Sequence, residues 1–292
     1  MGRRVRHLCV PLLLLAAYSC PAADLLTSKT NPPPPTSSSR EVPFRLFRGY
    51  VVVVQGSLGE LAGRQLLVDT GSSPTIIDYS VAHRLRLPFR PAQLSQVNRE
   101  AKARSVILPN LTLGPIDAKY LPVLVADLSF IQRQLGIHID AVVGLDVLSP
   151  RSFSIDYQSR KIIFGQLPIS TDSVPFETQP PLITIKANVQ GRDLRLLVDT
   201  GASGLMLFRE RNNLNLPVTS AQRSDNISGM FTREQVEVSD LRVGNLYRHK
   251  QTAYLVESPD NIARDFDGIA GISALGIKQI AFDFEHGILS WK

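Results

Sequence analysis

The chain has 292 residues, 43% of them hydrophobic, and a formal charge of +6, half of it from Arg3, Arg4 and Arg6. So small a surplus on the rest of the chain calls for no nucleic-acid partner. The two cysteines, Cys9 and Cys20, both lie at the extreme N-terminus, which leaves the folded part without a disulfide or a cysteine metal site.

In chain order, the three arginines precede an apolar run from Leu8 to Ala17 that is too short to span a bilayer as an ordinary helix. Residues 1–20 therefore read as an export signal, the plainer alternative being an uncleaved anchor. Ala17-Tyr18-Ser19-Cys20 resembles a lipoprotein cleavage box, with Tyr18 out of place. Cys20 is then either a lipidated, membrane-tethering N-terminus or a residue at an ordinary cleavage site. The expected location is the periplasm, the cell surface or a membrane-anchored lipoprotein. Residues 21–44 hold Asn31-Pro32-Pro33-Pro34-Pro35 and a serine run, the composition of an extended, solvated linker.

The remainder is long enough for two cores. Its periodicity is mainly that of strands: Tyr50 to Val54 is a β-branched run, and Ile183 to Ala187 alternates. Short helices are expected over Tyr79–Leu85, Leu128–Leu135 and Arg209–Leu214. Two hairpins are expected, Phe153–Tyr157 with Lys161–Phe164 and Ile280–Phe284 with Gly287–Trp291. A polar, proline-bearing stretch at 167–181 reads as the connection between lobes at 45–166 and 182–292. The clusters Arg84/Arg86/Arg90 and Arg99/Lys102/Arg104 read as solvated faces. His83, His138, His249 and His286 have no zinc spacing, and no cofactor motif is present.

The chain is organised around a repeat. Leu66-Leu67-Val68-Asp69-Thr70-Gly71-Ser72-Ser73 returns 130 residues later as Leu196-Leu197-Val198-Asp199-Thr200-Gly201-Ala202-Ser203. Val106 to Gly114 recurs as Val236 to Gly244 at the same spacing. Asp140-Ala141-Val142-Val143-Gly144 answers to Asp267-Gly268-Ile269-Ala270-Gly271 at 127, as Phe153 to Tyr157 does to Ile280 to Phe284. Four blocks in one order indicate a duplicated domain.

With two Asp-Thr-Gly copies and a later apolar-apolar-Gly in each half, the chain resembles a bilobal aspartic protease over about residues 45–292. It is closer to two fused retropepsin-like units than to a digestive pepsin. The resemblance implies an all-β fold, two similar lobes about a pseudo-two-fold axis with a cleft between them. It implies Asp69 and Asp199 as the catalytic pair, sharing one proton and activating a water without metal or covalent intermediate. Gly71 and Gly201 would let backbone approach the carboxylates. Thr70 and Thr200 would bond across to the opposite loop, and Gly144 and Gly271 would belong to the supporting strands. Ser72 would donate to the outer oxygen of Asp69, whereas Ala202 cannot do so for Asp199.

One part of the pattern departs from pepsin. Pro91 to Ser105, where the cleft-closing hairpin should lie, has neither tyrosine nor glycine. The equivalent segment of the second lobe carries Gly229 and Met230 at a candidate flap tip, so flap function either sits there or is unusual. The leading expectation is an exported aspartic endopeptidase acting on polypeptides as a monomer. The alternatives are a catalytically silent peptide-binding module and an obligate dimer of two-lobed chains.

Overall fold

The computed structural model describes residues 40–95, 100–165, 167, 170, 172–179, 182–226, 229–257 and 265–292. The export signal, Cys20 and most of the 21–44 linker lie outside the described residues. The first lobe begins with strands β1 (Glu41–Phe47), β2 (Val51–Leu58), β3 (Leu61–Val68) and β4 (Ile76–Asp78). Helix α1 (Tyr79–Arg84) follows, then β5 (Arg90–Ser95), β6 (Glu100–Leu113) and β7 (Ile116–Ala126). It closes with α2 (Ser129–Leu135), β8 (Ala141–Val143), α3 (Leu145–Leu148), β9 (Phe153–Asp156) and β10 (Lys161–Phe164).

The second lobe repeats this order, except that no counterpart of α2 lies among the described residues. It runs through β11 (Asp172–Gln179), β12 (Leu182–Val189), β13 (Arg192–Asp199), β14 (Leu205–Phe208) and α4 (Arg209–Asn212). Strands β15 (Val218–Asn226), β16 (Gly229–Val243), β17 (Leu246–Val256) and β18 (Gly268–Gly271) come next, and α5 (Ile272–Leu275), β19 (Gln279–Asp283) and β20 (Ile288–Trp291) end it. The fold is all-β with two equivalent lobes. Helices α3 and α5 were not foreseen from the sequence, because one turn after a glycine leaves no periodicity to read.

Pairing is the same in both lobes. β3 runs antiparallel to β2 and parallel to β8, while β4 lies antiparallel to β8 and parallel to β7. β13, β12, β18, β14 and β17 reproduce these relations. A central strand is covered on both faces, so it is a continuous apolar run without alternation. Leu66 and Val68 face the main core while Leu67 faces a second cluster with Ile76, Leu124 and Val142, and all three are fully buried. Each such side chain stabilises the lobe by about 1.5–3 kcal/mol.

Two boundary expectations are corrected. Strand β1 begins inside the expected linker, pairing with β10 and β2. The expected connection between lobes holds β11, which pairs with β20 and β12 as β1 does with its neighbours. Polar, proline-bearing sequence hid β11, while β1 alternates through Val42, Phe44 and Leu46 but follows directly on the proline- and serine-rich stretch. Across the lobes, β1, β10, β9, β19, β20 and β11 form one antiparallel sheet, with β9 and β19 paired from Gln279↔Asp156 to Phe282↔Phe153. The rings of Phe153 and Phe282 stack at 4.8 Å on this seam.

Candidate active site

Strands β3 and β13 deliver Asp69 and Asp199 to the junction of the lobes, and both residues are fully buried. Each carboxylate is held by its own loop: Gly71 N–H donates to Asp69 Oδ1 at 2.8 Å and Gly201 N–H to Asp199 Oδ1 at 2.7 Å. Among the described residues, no group outside the pair donates to either Oδ2. The glycines also touch the opposite lobe. A Cβ on Gly71 would lie 2.5 Å from Asp199 Cγ, and one on Gly201 would lie 2.9 Å from Asp69 Cγ. Any side chain there would push the two carboxylates apart.

The threonines tie the loops together. Thr70 Oγ1 donates to the carbonyl of Val198 at 2.8 Å and accepts from Thr200 N–H at 3.1 Å. Thr200 Oγ1 donates to the carbonyl of Val68 at 3.2 Å and accepts from Thr70 N–H at 3.0 Å. These four bonds are fully buried, where an unmade one would cost about 1–3 kcal/mol. Behind the loops, a Cβ on Gly144 would meet Ser72 O at 2.3 Å, and one on Gly271 would meet Ala202 O at 2.4 Å. The supporting strands therefore press backbone against backbone, which only glycine permits.

Burial, then the adjacent charge of Asp199, pushes Asp69 well above the usual carboxylate range. Burial raises Asp199 to about 6, against the neighbouring carboxyl and the N–H groups of Gly201 and Ala202, which lower it. Two like charges in one dry site do not both ionise readily, so the pair holds one proton across the acidic range.

The expected role of Ser72 is corrected. Its hydroxyl turns back along its own loop toward the carbonyl of Pro74, at 3.5 Å, and gives nothing to Asp69. Ala202 fills the equivalent place as an apolar, fully buried residue. Both lobes carry the strand pair on which the flap expectation falls. Pro91 to Ser105 forms a hairpin, paired from Arg90↔Ser105 to Ser95↔Glu100, matching the second-lobe hairpin from Val218↔Val236 to Asn226↔Gly229. Residues 96–99 and 227–228 at the two tips lie outside the described residues, as do the side chains around Gly229 and Met230.

Sequence reading missed several groups that hold the site. Asp140 Oδ2 accepts from Gln65 N–H and Asp267 Oδ2 from Arg195 N–H, both at 2.8 Å, clamping β3 and β13 from the side. The signal was present, since both aspartates open the repeated block. Asp146 accepts from Thr75 N–H at 3.0 Å and from Thr75 Oγ1 at 2.8 Å, and Thr75 Oγ1 in turn accepts from Gly144 N–H at 3.1 Å. This lock is confined to the first lobe, so no repeat announced it.

Residues 54–147 and 185–276 match the family model described as aspartyl protease, one match to each half. The chain belongs to the aspartyl protease family. Among solved structures, it is similar to a retropepsin-like aspartic protease from Rickettsia conorii at 16% identity and a TM-score of 0.32, covering 41% of this chain and 98% of that one. It is also similar to basic 7S globulin from soybean at 12% identity and a TM-score of 0.43, covering 86% of this chain and 94% of that one. No curated protein matches the sequence.

Proposed function

We propose that this member of the aspartyl protease family is an exported endopeptidase that hydrolyses peptide bonds with Asp69 and Asp199, active as a single chain. One buried carboxylate takes a proton from a water held between the pair, and the water oxygen attacks the scissile carbonyl carbon. The protonated carboxyl hydrogen-bonds the carbonyl oxygen as negative charge develops there. Collapse of the tetrahedral species breaks the C–N bond as a proton passes to the leaving amine. The observation that carries this reading is the pairing of two fully buried carboxyls, each with an Oδ2 that no described residue outside the pair donates to. The raised position of both supports activity that persists from acid toward neutral pH. Export rests on the Arg3–Ala17 sequence pattern, with Cys20 as either lipidated end or ordinary cleavage site.

The test is incubation of the purified exported chain with a mixed peptide library from acid to neutral pH, with and without pepstatin. Pepstatin-sensitive cleavage with a specific activity that stays flat on dilution is expected. Binding without cleavage would reject the enzyme in favour of a silent peptide-binding module. Activity that falls with dilution in step with dimer dissociation by light scattering would reject the single-chain site.

A further inference from the structure

We infer that a basic face of the first lobe, built on Arg84, Arg86, Lys102 and Arg104, binds an acidic segment of the polypeptide substrate away from the bond that is cut. This deepens the peptidase reading and rests on it. Two basic clusters that stand apart in the sequence meet in the structure. Strands β5 and β6 pair Arg90 with Ser105, Pro91 with Arg104 and Gln93 with Lys102. The guanidinium carbon of Arg104 lies 5.3 Å from the centre of the Phe89 ring and 5.9 Å from that of Tyr79. The His83 ring lies 5.7 Å from Phe89 and 6.4 Å from Tyr79. Arg84, at the end of α1, and Arg86 occupy the short stretch between His83 and Phe89, beside this stack.

All four cations are exposed, and among the described residues none of them has a carboxylate partner. Like charges gathered without counter-ions repel one another, so stability does not account for the cluster. A guanidinium held against aromatic rings is pre-organised to present its N–H fork to a carboxylate. Lys102 and Arg104 belong to the hairpin that the family resemblance places over the cleft. That puts the face within reach of a polypeptide extending from the cleft.

The second lobe provides an internal control. Shifted by the repeat, the positions of Arg84, Arg86, Arg90, Lys102 and Arg104 hold Leu214, Leu216, Ser220, Thr232 and Glu234. The hairpin register is the same, with Ala221 opposite Glu234 and Arg223 opposite Thr232. Tyr79 is matched by Arg209, which forms an ion pair with Glu234. The same helix and hairpin are therefore built with no cation at any of the five positions, and the fold does not require the basic face.

The test compares peptides that share one cleaved sequence and carry a short tail of Glu or of Gln at either end, assayed at neutral pH. For the wild-type chain, kcat/KM should favour the Glu tail by about 3- to 30-fold at one end, the value of a few exposed ion pairs, with the difference carried by KM. The preference should fade at roughly 1 M salt, where screening cuts the reach of a charge to about 3 Å. Arg84→Gln with Arg86→Gln should reduce it by about twofold or more while leaving the Gln-tail peptide unaffected, and Arg104→Glu should turn it toward a Lys tail. Lys250→Gln, which removes an exposed cation of the second lobe, should change nothing, with folding of every variant verified by circular dichroism. A wild-type chain without acid preference, or a preference that survives these substitutions, would overturn the face and leave the peptidase reading standing. If the same substitutions instead released the chain from phosphatidylglycerol vesicles, with no acid preference in cleavage, the cations would belong to a lipid surface and the inference would fall. A chain that cleaves neither peptide, yet binds a fluorescent Glu-tail peptide in a manner that depends on Arg84 and Arg86, would keep the face and overturn the peptidase reading.

Discussion

The two lobes share every strand pairing that places an aspartate, and differ in some of the side chains that brace its loop and in those of the hairpin beyond it. In both, an apolar central strand ends in Asp-Thr-Gly, a parallel strand from the apolar-apolar-Gly block supports it, and an aspartate clamps its start. Around that shared frame the first lobe has the Thr75–Asp146 lock, while its counterparts in the second are Leu205 and Ser273, whose hydroxyl reaches the carbonyl of Ser203. The first-lobe hairpin rests on alanines and leucine, the second on arginine and tyrosine. What the proposed mechanism requires to be symmetric is the delivery of two carboxylates to one point, because it uses them as a pair. The means of bracing each loop carry no such constraint.

The largest expected effect tests the symmetric part. Asp69→Asn and Asp199→Asn should each lower kcat about a thousandfold or more, and the double variant should cost little beyond either. If one variant kept substantial activity, the lobes would not be chemical equals.

Next in size is a stability effect with a definite sign. Asp199 is raised from 3.8 to about 6 on folding, so the folded state holds a proton that the unfolded chain releases between those values. The stability this contributes is full below 3.8 and lost as pH rises through about 6. Asp199→Asn should therefore raise stability at pH 8 by on the order of 3 kcal/mol, with the gain gone near pH 4. Thermal melts at the two pH values decide it; a variant destabilised at pH 8 would contradict the burial argument.

Much of the shared frame was legible in the sequence because duplication prints the same block twice. The Asp-Thr-Gly loops, the Val142–Gly144 and Ile269–Gly271 supports and the two closing hairpins all announce themselves that way. What stayed hidden has a physical reason in each case. Strands β1 and β11 lie at the edges of the shared sheet and tolerate polar residues and proline, so they resemble linkers. Asp146 reads as an ordinary residue after a glycine, because its partner Thr75 is 71 positions earlier and has no twin. Ser72 invited a role that its rotamer does not fill.

A smaller effect sharpens the asymmetric part. Thr75→Val should cost about 1–3 kcal/mol in denaturant unfolding, since it leaves the half-closed Asp146 carboxylate short of a donor. Ser273→Ala, at an exposed position, should cost about 0.5–1 kcal/mol. Equal costs would mean that the first-lobe lock adds nothing. Smallest of all, Ser72→Ala should leave the alkaline limb of the kcat/KM profile in place, because the hydroxyl faces Pro74. A shift of that limb to higher pH would restore the hydroxyl to Asp69.

The two halves belong to one covalent chain, and the seam where β9 pairs with β19 makes them one continuously hydrogen-bonded body. In an assembly of two identical subunits, every substitution would appear twice, once on each side of the scissile bond, and would have to be tolerated in both places. Here each codon is expressed on one side only. A substitution can enter one lobe without its mirror image entering the other, so the surroundings of the two carboxylates can be altered by inheritance independently.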